Sequence, residues 1–123
     1  MNGKTILLVE DDVFLSSLLK TRLQKENFTV IHAPDGEEAL KFLRDQKPDL
    51  VLLDIILPKK SGFEVLEAIR SDPQLSQSQI VIISNLGQES DIQTGKELGA
   101  IEYFVKAKTS IDELVVRIKD YMK

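Results

Sequence analysis

Short apolar runs that no polar residue interrupts constrain the fold of this chain most strongly. The segments 50–53 and 80–83 contain only leucine, isoleucine and valine. Strands that are buried on both faces have this pattern, and they occur in parallel sheets that helices cover on both sides. Each run is followed by a longer stretch with helical periodicity, such as 14–25, where leucines recur on one face. This order predicts right-handed β-α-β crossovers and a parallel sheet.

Five such strand–helix units fit within 123 residues, the size of one domain. The predicted strands β1 to β5 cover residues 5–10, 29–33, 50–54, 80–84 and 102–105, and the predicted helices α1 to α5 cover residues 14–25, 37–45, 62–71, 89–98 and 111–122. Polar residues at capping-box spacing precede α2, α3 and α5. We therefore expect one doubly wound α/β domain over residues 1–123, a (βα)5 fold with a five-stranded parallel sheet and no output domain in the chain.

Composition excludes several classes of function. The chain has no cysteine, which excludes disulfides, thiolate metal sites and a cysteine nucleophile. Its net charge of -4, without a block of Lys or Arg, argues against direct binding of nucleic acid. Its apolar runs are far shorter than the ~20 residues that span a bilayer, and no signal-peptide pattern is present. We expect a cytoplasmic protein without membrane insertion.

Acidic residues follow two of the predicted strands. Glu10, Asp11 and Asp12 end or follow β1, and Asp54 ends β3. Ligands of open α/β sheets bind beyond the carboxyl ends of the strands, so these carboxylates converge if β1 and β3 are neighbours. Two like charges ~4 Å apart repel by about 4 kcal/mol at an effective dielectric constant near 20, so such a cluster needs a raised pKa or a cation. Oxygen ligands without Cys or His favour Mg²⁺, with Mn²⁺ as the alternative.

A carboxylate beside Mg²⁺ can accept a phosphoryl group, and the transition state needs positive charge and hydrogen-bond donors around its oxygens. Lys106 after β5 and the Ser84 hydroxyl at the end of β4 supply these groups. Taken singly, Asp11 or Asp12 could cap α1, Asp54 could begin a turn, Ser84 could be a cap and Lys106 a solvated surface lysine. Their joint occurrence at the ends of strands favours phosphoryl chemistry.

Two further residues have structural interpretations. The single histidine, His32, lies on the predicted β2 away from this edge, and we interpret it as structural. Gly95 falls inside the predicted α4, where glycine costs about 0.5–1 kcal/mol relative to alanine. We expect this helix to be locally weak.

The chain resembles the receiver domains of two-component response regulators, with the chemotaxis receiver as the minimal form. The resemblance covers nearly the whole chain and rests on ILLVEDD at 6–12, PDLVLLD at 48–54 with Pro58, GFEVL at 62–66, IVIIS at 80–84, and LGA at 98–100 through Tyr103 to Lys106. It implies the flavodoxin-like strand order 2-1-3-4-5. It also implies self-phosphorylation and slow autodephosphorylation without turnover of a dedicated substrate.

The resemblance assigns roles to the acidic residues. Asp54 matches the phosphoacceptor. Asp11 and Asp12 match the acidic pair that holds Mg²⁺ together with Asp54, directly or through water. The backbone carbonyl of Ile56 matches the remaining protein ligand of the metal.

The resemblance also implies a switch and its partners. Lys106 matches the lysine that pairs with the phosphate, and Ser84 and Tyr103 match the hydroxyl and aromatic switch residues. The α4-β5-α5 face would change on phosphorylation and bind a downstream protein target or a second copy of the chain. The phosphodonor would be a histidine kinase, a phosphotransfer protein or a small acyl phosphate.

The chain departs from the family pattern at two positions. Ala107 follows Lys106 where many receivers have a proline, and Asn85 stands where a small residue is usual. A cis bond before a residue other than proline costs ~2.5–4 kcal/mol, so we expect a trans bond and a reshaped loop after Lys106.

Three alternatives remain at this point. A degenerate receiver would act as a phosphorylation-independent protein-binding module. A haloacid-dehalogenase-type phosphatase would need a second Asp two residues after the nucleophile, where this chain has Ile56. A dinucleotide or flavin binder would need a glycine-rich loop after β1, where this chain has three acidic residues.

Overall fold

The computed structural model describes residues 3–123 and confirms the predicted elements. The strands are β1 (Thr5–Val9), β2 (Thr29–Ala33), β3 (Leu50–Leu53), β4 (Gln79–Ser84) and β5 (Glu102–Val105), and the helices are α1 (Val13–Lys25), α2 (Gly36–Asp45), α3 (Gly62–Ser71), α4 (Glu89–Glu97) and α5 (Ile111–Tyr121). Every predicted boundary lies within one residue of the observed one. A short 3-10 helix, Lys106–Lys108, follows β5 and was not predicted.

The five strands form one parallel sheet in the order β2-β1-β3-β4-β5, as expected. Strand order reverses between β1 and β3, because the chain adds β2 on one side of β1 and β3 on the other. Val9 at the end of β1 is in register with Leu53 at the end of β3. The residues that follow these two strands are therefore neighbours, at the point where open α/β sheets bind their ligands.

Side chains alternate between two apolar layers along each strand. Ile6 and Leu8 of β1 face a layer that α1 and α5 cover, while Leu7 and Val9 face a layer that α2 and α3 cover. All four side chains are fully buried. Burial of a side chain of this size stabilises a fold by roughly 1.5–3 kcal/mol, so the uninterrupted apolar runs are explained by burial on both faces.

Helix α4 packs on the sheet through a glycine. Gly95 is the one buried residue among Glu89–Glu97. A Cβ atom at this position would lie 2.8 Å from Ile82 Cδ1 and 3.0 Å from Tyr103 Cδ2. The absence of a side chain therefore lets the helix approach β4 and β5 closely, which is a packing reason for a residue that weakens a helix.

Arg70 at the end of α3 joins three segments. Its guanidinium donates hydrogen bonds to the carbonyls of Ser76 and Ser78, at 2.8 and 3.0 Å, and of Leu98 and Gly99, at 2.9 and 2.8 Å. Gly99 has a φ of +90°, and a Cβ atom there would lie 2.7 Å from Arg70 Nε. The arginine thus ties the end of α3 to the segment before β4 and to the turn after α4.

The predicted helix starts are confirmed by their caps. Ser61 and Glu64 form a capping box at α3, and Asp35 and Ser110 accept hydrogen bonds from the third residues of α2 and α5. Within residues 3–123, no helix is both long and apolar enough to cross a membrane.

Candidate functional site

The carboxyl edge of the sheet brings three carboxylates together. One oxygen each of Glu10, Asp11 and Asp54 lies within 4.8 Å of the others. The cause is the strand order, since Glu10 and Asp54 directly follow the paired residues Val9 and Leu53. The expectation that acidic groups converge if β1 and β3 are neighbours is confirmed for these three residues.

Lys106 completes the cluster with a positive charge. Its Nζ lies 2.7 Å from Asp54 Oδ2 and 2.8 Å from Glu10 Oε1. Burial by itself would lower the Lys106 pKa, but the hydrogen bond to Asp54 and the ion pair with Glu10 outweigh burial and leave that pKa raised. The lysine is therefore charged at neutral pH. The peptide bond to Ala107 is trans, as expected, and the side chain still reaches Asp54.

Glu10 was expected in the acidic cluster but was given no role as a metal ligand. Its side chain is fully buried, and burial is the main reason that its pKa rises to about 7. Repulsion from Asp54 adds to the rise, while the ion pair with Lys106 and a hydrogen bond from the Asp12 N–H oppose it. The signal in the sequence was its place at the end of an apolar strand, where a carboxylate is costly without a partner.

Asp12 has a different place from the one expected. Its Oδ1 accepts hydrogen bonds from the N–H groups of Phe14 and Leu15, at 2.9 and 3.1 Å, so Asp12 is the N-cap of α1. The capping alternative that was open for Asp11 or Asp12 is thus realised at Asp12. Among the described acidic residues, the group that could share one metal ion contains Glu10 in place of Asp12.

Asp54 is held on both carboxylate oxygens and is only 3% exposed. Its Oδ2 faces Lys106, and its Oδ1 accepts a hydrogen bond from the Ile56 N–H at 3.1 Å. The N–H of Ile56 is thus directed at Asp54, while metal ligation by the carbonyl of Ile56 stays a prediction.

Ser84 and Tyr103 both form hydrogen bonds with the main chain of Leu86. The buried Ser84 Oγ accepts a hydrogen bond from the Leu86 N–H at 3.3 Å, and the Tyr103 hydroxyl donates to the Leu86 carbonyl. Burial is the main cause of a raised Tyr103 pKa, and the charges of Asp91 and Asp54 add to it. The two predicted switch residues are therefore both hydrogen-bonded to the main chain of Leu86, and their switching role stays a prediction.

The interpretation of His32 as remote from this edge is wrong. Its Nε2 lies 2.7 Å from the main-chain carbonyl oxygen of Glu10. No local pattern in the sequence indicated this contact, because it depends on the direction in which the ring points from β2.

The charges of the cluster fit a divalent cation. Three carboxylates face one lysine, which leaves a net charge of about -2 when all are ionised, and an uncompensated buried charge is expensive. The ligands are oxygen atoms only, which is the donor set that Mg²⁺ and Mn²⁺ prefer.

The sequence is similar to one family model and to several curated proteins. The family model for the response regulator receiver domain matches residues 6–119. Transcriptional regulatory protein CpxR of Escherichia coli K12 is 45% identical over 118 residues, which are 96% of this chain and 49% of that protein. The probable transcriptional regulator ycf27 of Cyanophora paradoxa is 38% identical over all of this chain and 50% of that protein. The chain thus spans about half the length of these curated relatives.

Solved structures share the same fold. The receiver domain of Francisella response regulator 1452 superposes with a TM-score of 0.88 at 26% identity, over 98% of this chain and 97% of that one. The Mn²⁺-bound form of response regulator Rcp1 superposes with a TM-score of 0.87 at 32% identity, over 98% of this chain and 96% of that one.

Proposed function

This chain belongs to the response regulator receiver domain family, and we propose that it accepts a phosphoryl group on Asp54 in a Mg²⁺-dependent reaction. The observation that carries the proposal is the position of the Asp54 carboxylate. It lies between the Lys106 ammonium and the Ile56 N–H, next to the carboxylates of Glu10 and Asp11. An acceptor, a cation and a set of metal ligands thus meet within one small volume.

The transfer is a displacement at phosphorus. A bond forms between phosphorus and an Asp54 carboxylate oxygen, while the bond from phosphorus to the donor breaks and the donor leaves with that electron pair. Lys106, already 2.7 Å from Asp54, pairs with an oxygen of the phosphoryl group and balances its charge. No further oxidant or co-reactant is needed.

The residues at the site are suited to bind the metal that this function needs. Asp11, Asp54 and Glu10 would hold Mg²⁺, directly or through water, with the Ile56 carbonyl as the further protein ligand and Mn²⁺ as the alternative ion. The bound ion supplies positive charge to the transferring phosphoryl group. Asp12 was expected in this set, and its place at the helix cap favours Glu10 instead.

A protein phosphodonor has apolar side chains to bind beside the site. Val13, Phe14 and Leu18, which follow the acidic turn on α1, are exposed and line one apolar hollow. Exposed apolar side chains that cluster in this way mark protein contacts. We propose a histidine kinase or a phosphotransfer protein as the donor, with small acyl phosphates able to replace it.

The response would pass through the α4-β5-α5 face to a downstream protein target or a second copy of the chain. Tyr103 links α4 and β5 to the segment after Ser84 through Leu86, which supports this route. The proposed setting is the cytoplasm, without direct nucleic-acid binding by this chain.

Intact-protein mass spectrometry after incubation with acetyl phosphate and Mg²⁺ tests the function. We expect one added phosphoryl group in the wild type, and none in Asp54→Asn or after addition of a chelator. Asp49→Asn is the matched control, because Asp49 lies at the opposite end of β3 beside Thr5. Labelling that persists in Asp54→Asn would show another acceptor. No labelling of the wild type by acetyl phosphate or phosphohistidine donors would favour the phosphorylation-independent binding module.

A further inference from the structure

We propose that His32 is a positioning residue for the acidic turn after β1, residues 10–12, and acts on it through the main chain. The proposal rests on the metal-dependent function proposed above and names a residue that tunes it. His32 contacts Glu10 through its main-chain carbonyl oxygen, at 2.7 Å, and not through its carboxylate.

The contact takes the place of a ladder hydrogen bond. β1 and β2 pair in register up to Val9 and Ala33, and the Glu10 N–H still donates to the Ala33 carbonyl at 3.1 Å. β2 then ends, and Pro34 follows. The next acceptor along the turn, the Glu10 carbonyl, receives its hydrogen bond from the His32 ring, which must carry a proton on Nε2 because a carbonyl only accepts.

This hydrogen bond fixes the peptide plane between Glu10 and Asp11. The Glu10 carbonyl and the Asp11 N–H belong to one planar unit, so holding the carbonyl also sets the direction in which the chain enters Asp11. Within residues 3–123, no side-chain hydrogen bond holds the Asp11 carboxylate, and Asp11 is exposed. Its position in the cluster with Glu10 and Asp54 therefore depends on the main chain.

The other anchors of the turn act on different atoms. The Glu10 carboxylate is held by Lys106 and by the Asp12 N–H, and Asp12 is held by the first amides of α1. Without the His32 contact, the Glu10–Asp11 peptide could rotate between these anchors. We therefore expect loss of the donor to weaken metal binding while the fold persists, as residues that orient metal ligands do.

Two variants separate the donor from the packing of the ring. His32→Leu substitutes an apolar side chain of similar size for the ring and removes the donor, whereas His32→Gln keeps an N–H group at a similar distance from the backbone. Phe28→Leu is the control for general loss of stability, because Phe28 lies in the core layer of α1 and α5 and away from the turn. The measurements are the Mg²⁺ dissociation constant by calorimetry, the phosphorylation rate with acetyl phosphate, and the unfolding midpoint in urea.

We expect His32→Leu to raise the Mg²⁺ dissociation constant roughly tenfold. His32→Gln should recover most of the affinity, and Phe28→Leu should lower the unfolding midpoint without changing the dissociation constant. Equal Mg²⁺ affinity in His32→Leu and the wild type would overturn the proposal, and so would an equal loss in His32→Leu and His32→Gln. A wild type that binds Mg²⁺ but accepts no phosphoryl group would overturn the proposed function alone, since the metal titration still decides the role of His32.

Discussion

Lys106 Nζ lies 2.7 Å from Asp54 Oδ2 although residue 107 is alanine and the bond before it is trans. The 3-10 turn of Lys106–Lys108 leads the chain away from β5 without moving the lysine out of reach. A proline after the lysine is therefore not needed for this contact.

Replacement of Lys106 by alanine separates metal binding from phosphoryl transfer. Removal of the cation makes the cluster more negative, so Mg²⁺ binding should persist or tighten, while the phosphorylation rate should fall by tenfold or more because the phosphoryl oxygens lose their charge partner. Calorimetry and intact-mass kinetics measure the two effects. Lys108→Ala is the matched control, since Lys108 is exposed on the same turn. Loss of Mg²⁺ binding in Lys106→Ala would contradict this division of roles.

Glu10 should make the stability of the metal-free protein depend on pH. Its pKa is raised by burial to about 7, above the ordinary value of 4.5. Between these two values the folded protein binds a proton that the unfolded chain has released, so this group's contribution to the free energy of unfolding is fully present below about pH 4.5 and is lost as the pH rises through 7. Urea unfolding in the presence of chelator from pH 5 to pH 8 measures the slope. Glu10→Gln should flatten it, and an unchanged slope would contradict the raised pKa.

Asp12 and Glu10 should respond differently to loss of charge. Asp12→Asn keeps a good N-cap, so both stability and Mg²⁺ affinity should change little, whereas Asp12→Ala should cost about 1 kcal/mol of stability. Glu10→Gln removes a carboxylate from the cluster and should weaken Mg²⁺ binding. Urea unfolding and metal titration measure these effects. A loss of Mg²⁺ affinity in Asp12→Asn, with none in Glu10→Gln, would restore the pair Asp11 and Asp12 as the metal ligands.

Gly95→Ala should destabilise the protein by about 1 kcal/mol or more, although alanine is the better helix former. The added Cβ would lie 2.8 Å from Ile82 Cδ1, and a crowded core resists an extra methyl group. Gln93→Ala on the exposed side of α4 is the control and should not destabilise. Urea unfolding gives the difference in free energy, and NMR of the Tyr103 ring shows whether it moves. A stabilised Gly95→Ala variant would show that the helix shifts without cost.

Much of the fold was predictable because burial leaves a strong pattern. The uninterrupted apolar runs at β3 and β4 require helices on both faces, and the capping residues Asp35, Ser61 and Ser110 mark helix starts. Strand order came from the resemblance to a family, and the convergence of the acidic groups follows once β1 and β3 are adjacent.

The details of the site were less predictable because they depend on single residues and on side-chain direction. Three acidic residues in a row leave open which of them enter the cluster. The answer depends on β1 ending at Val9, so that Glu10 faces Lys106 and Asp12 reaches the cap of α1. The reach of His32 to the Glu10 carbonyl depends on tertiary structure and leaves no periodic signal.

The attachment of Arg70 to four carbonyls has a consequence for how the domain opens. The end of α3, the segment before β4 and the turn after α4 share one guanidinium, so a fluctuation that frees one of them breaks hydrogen bonds to the others. Freeing one of these three segments therefore costs much of the free energy that freeing all three would cost. Such shared anchors make separate segments unfold as a single cooperative unit rather than fray one by one.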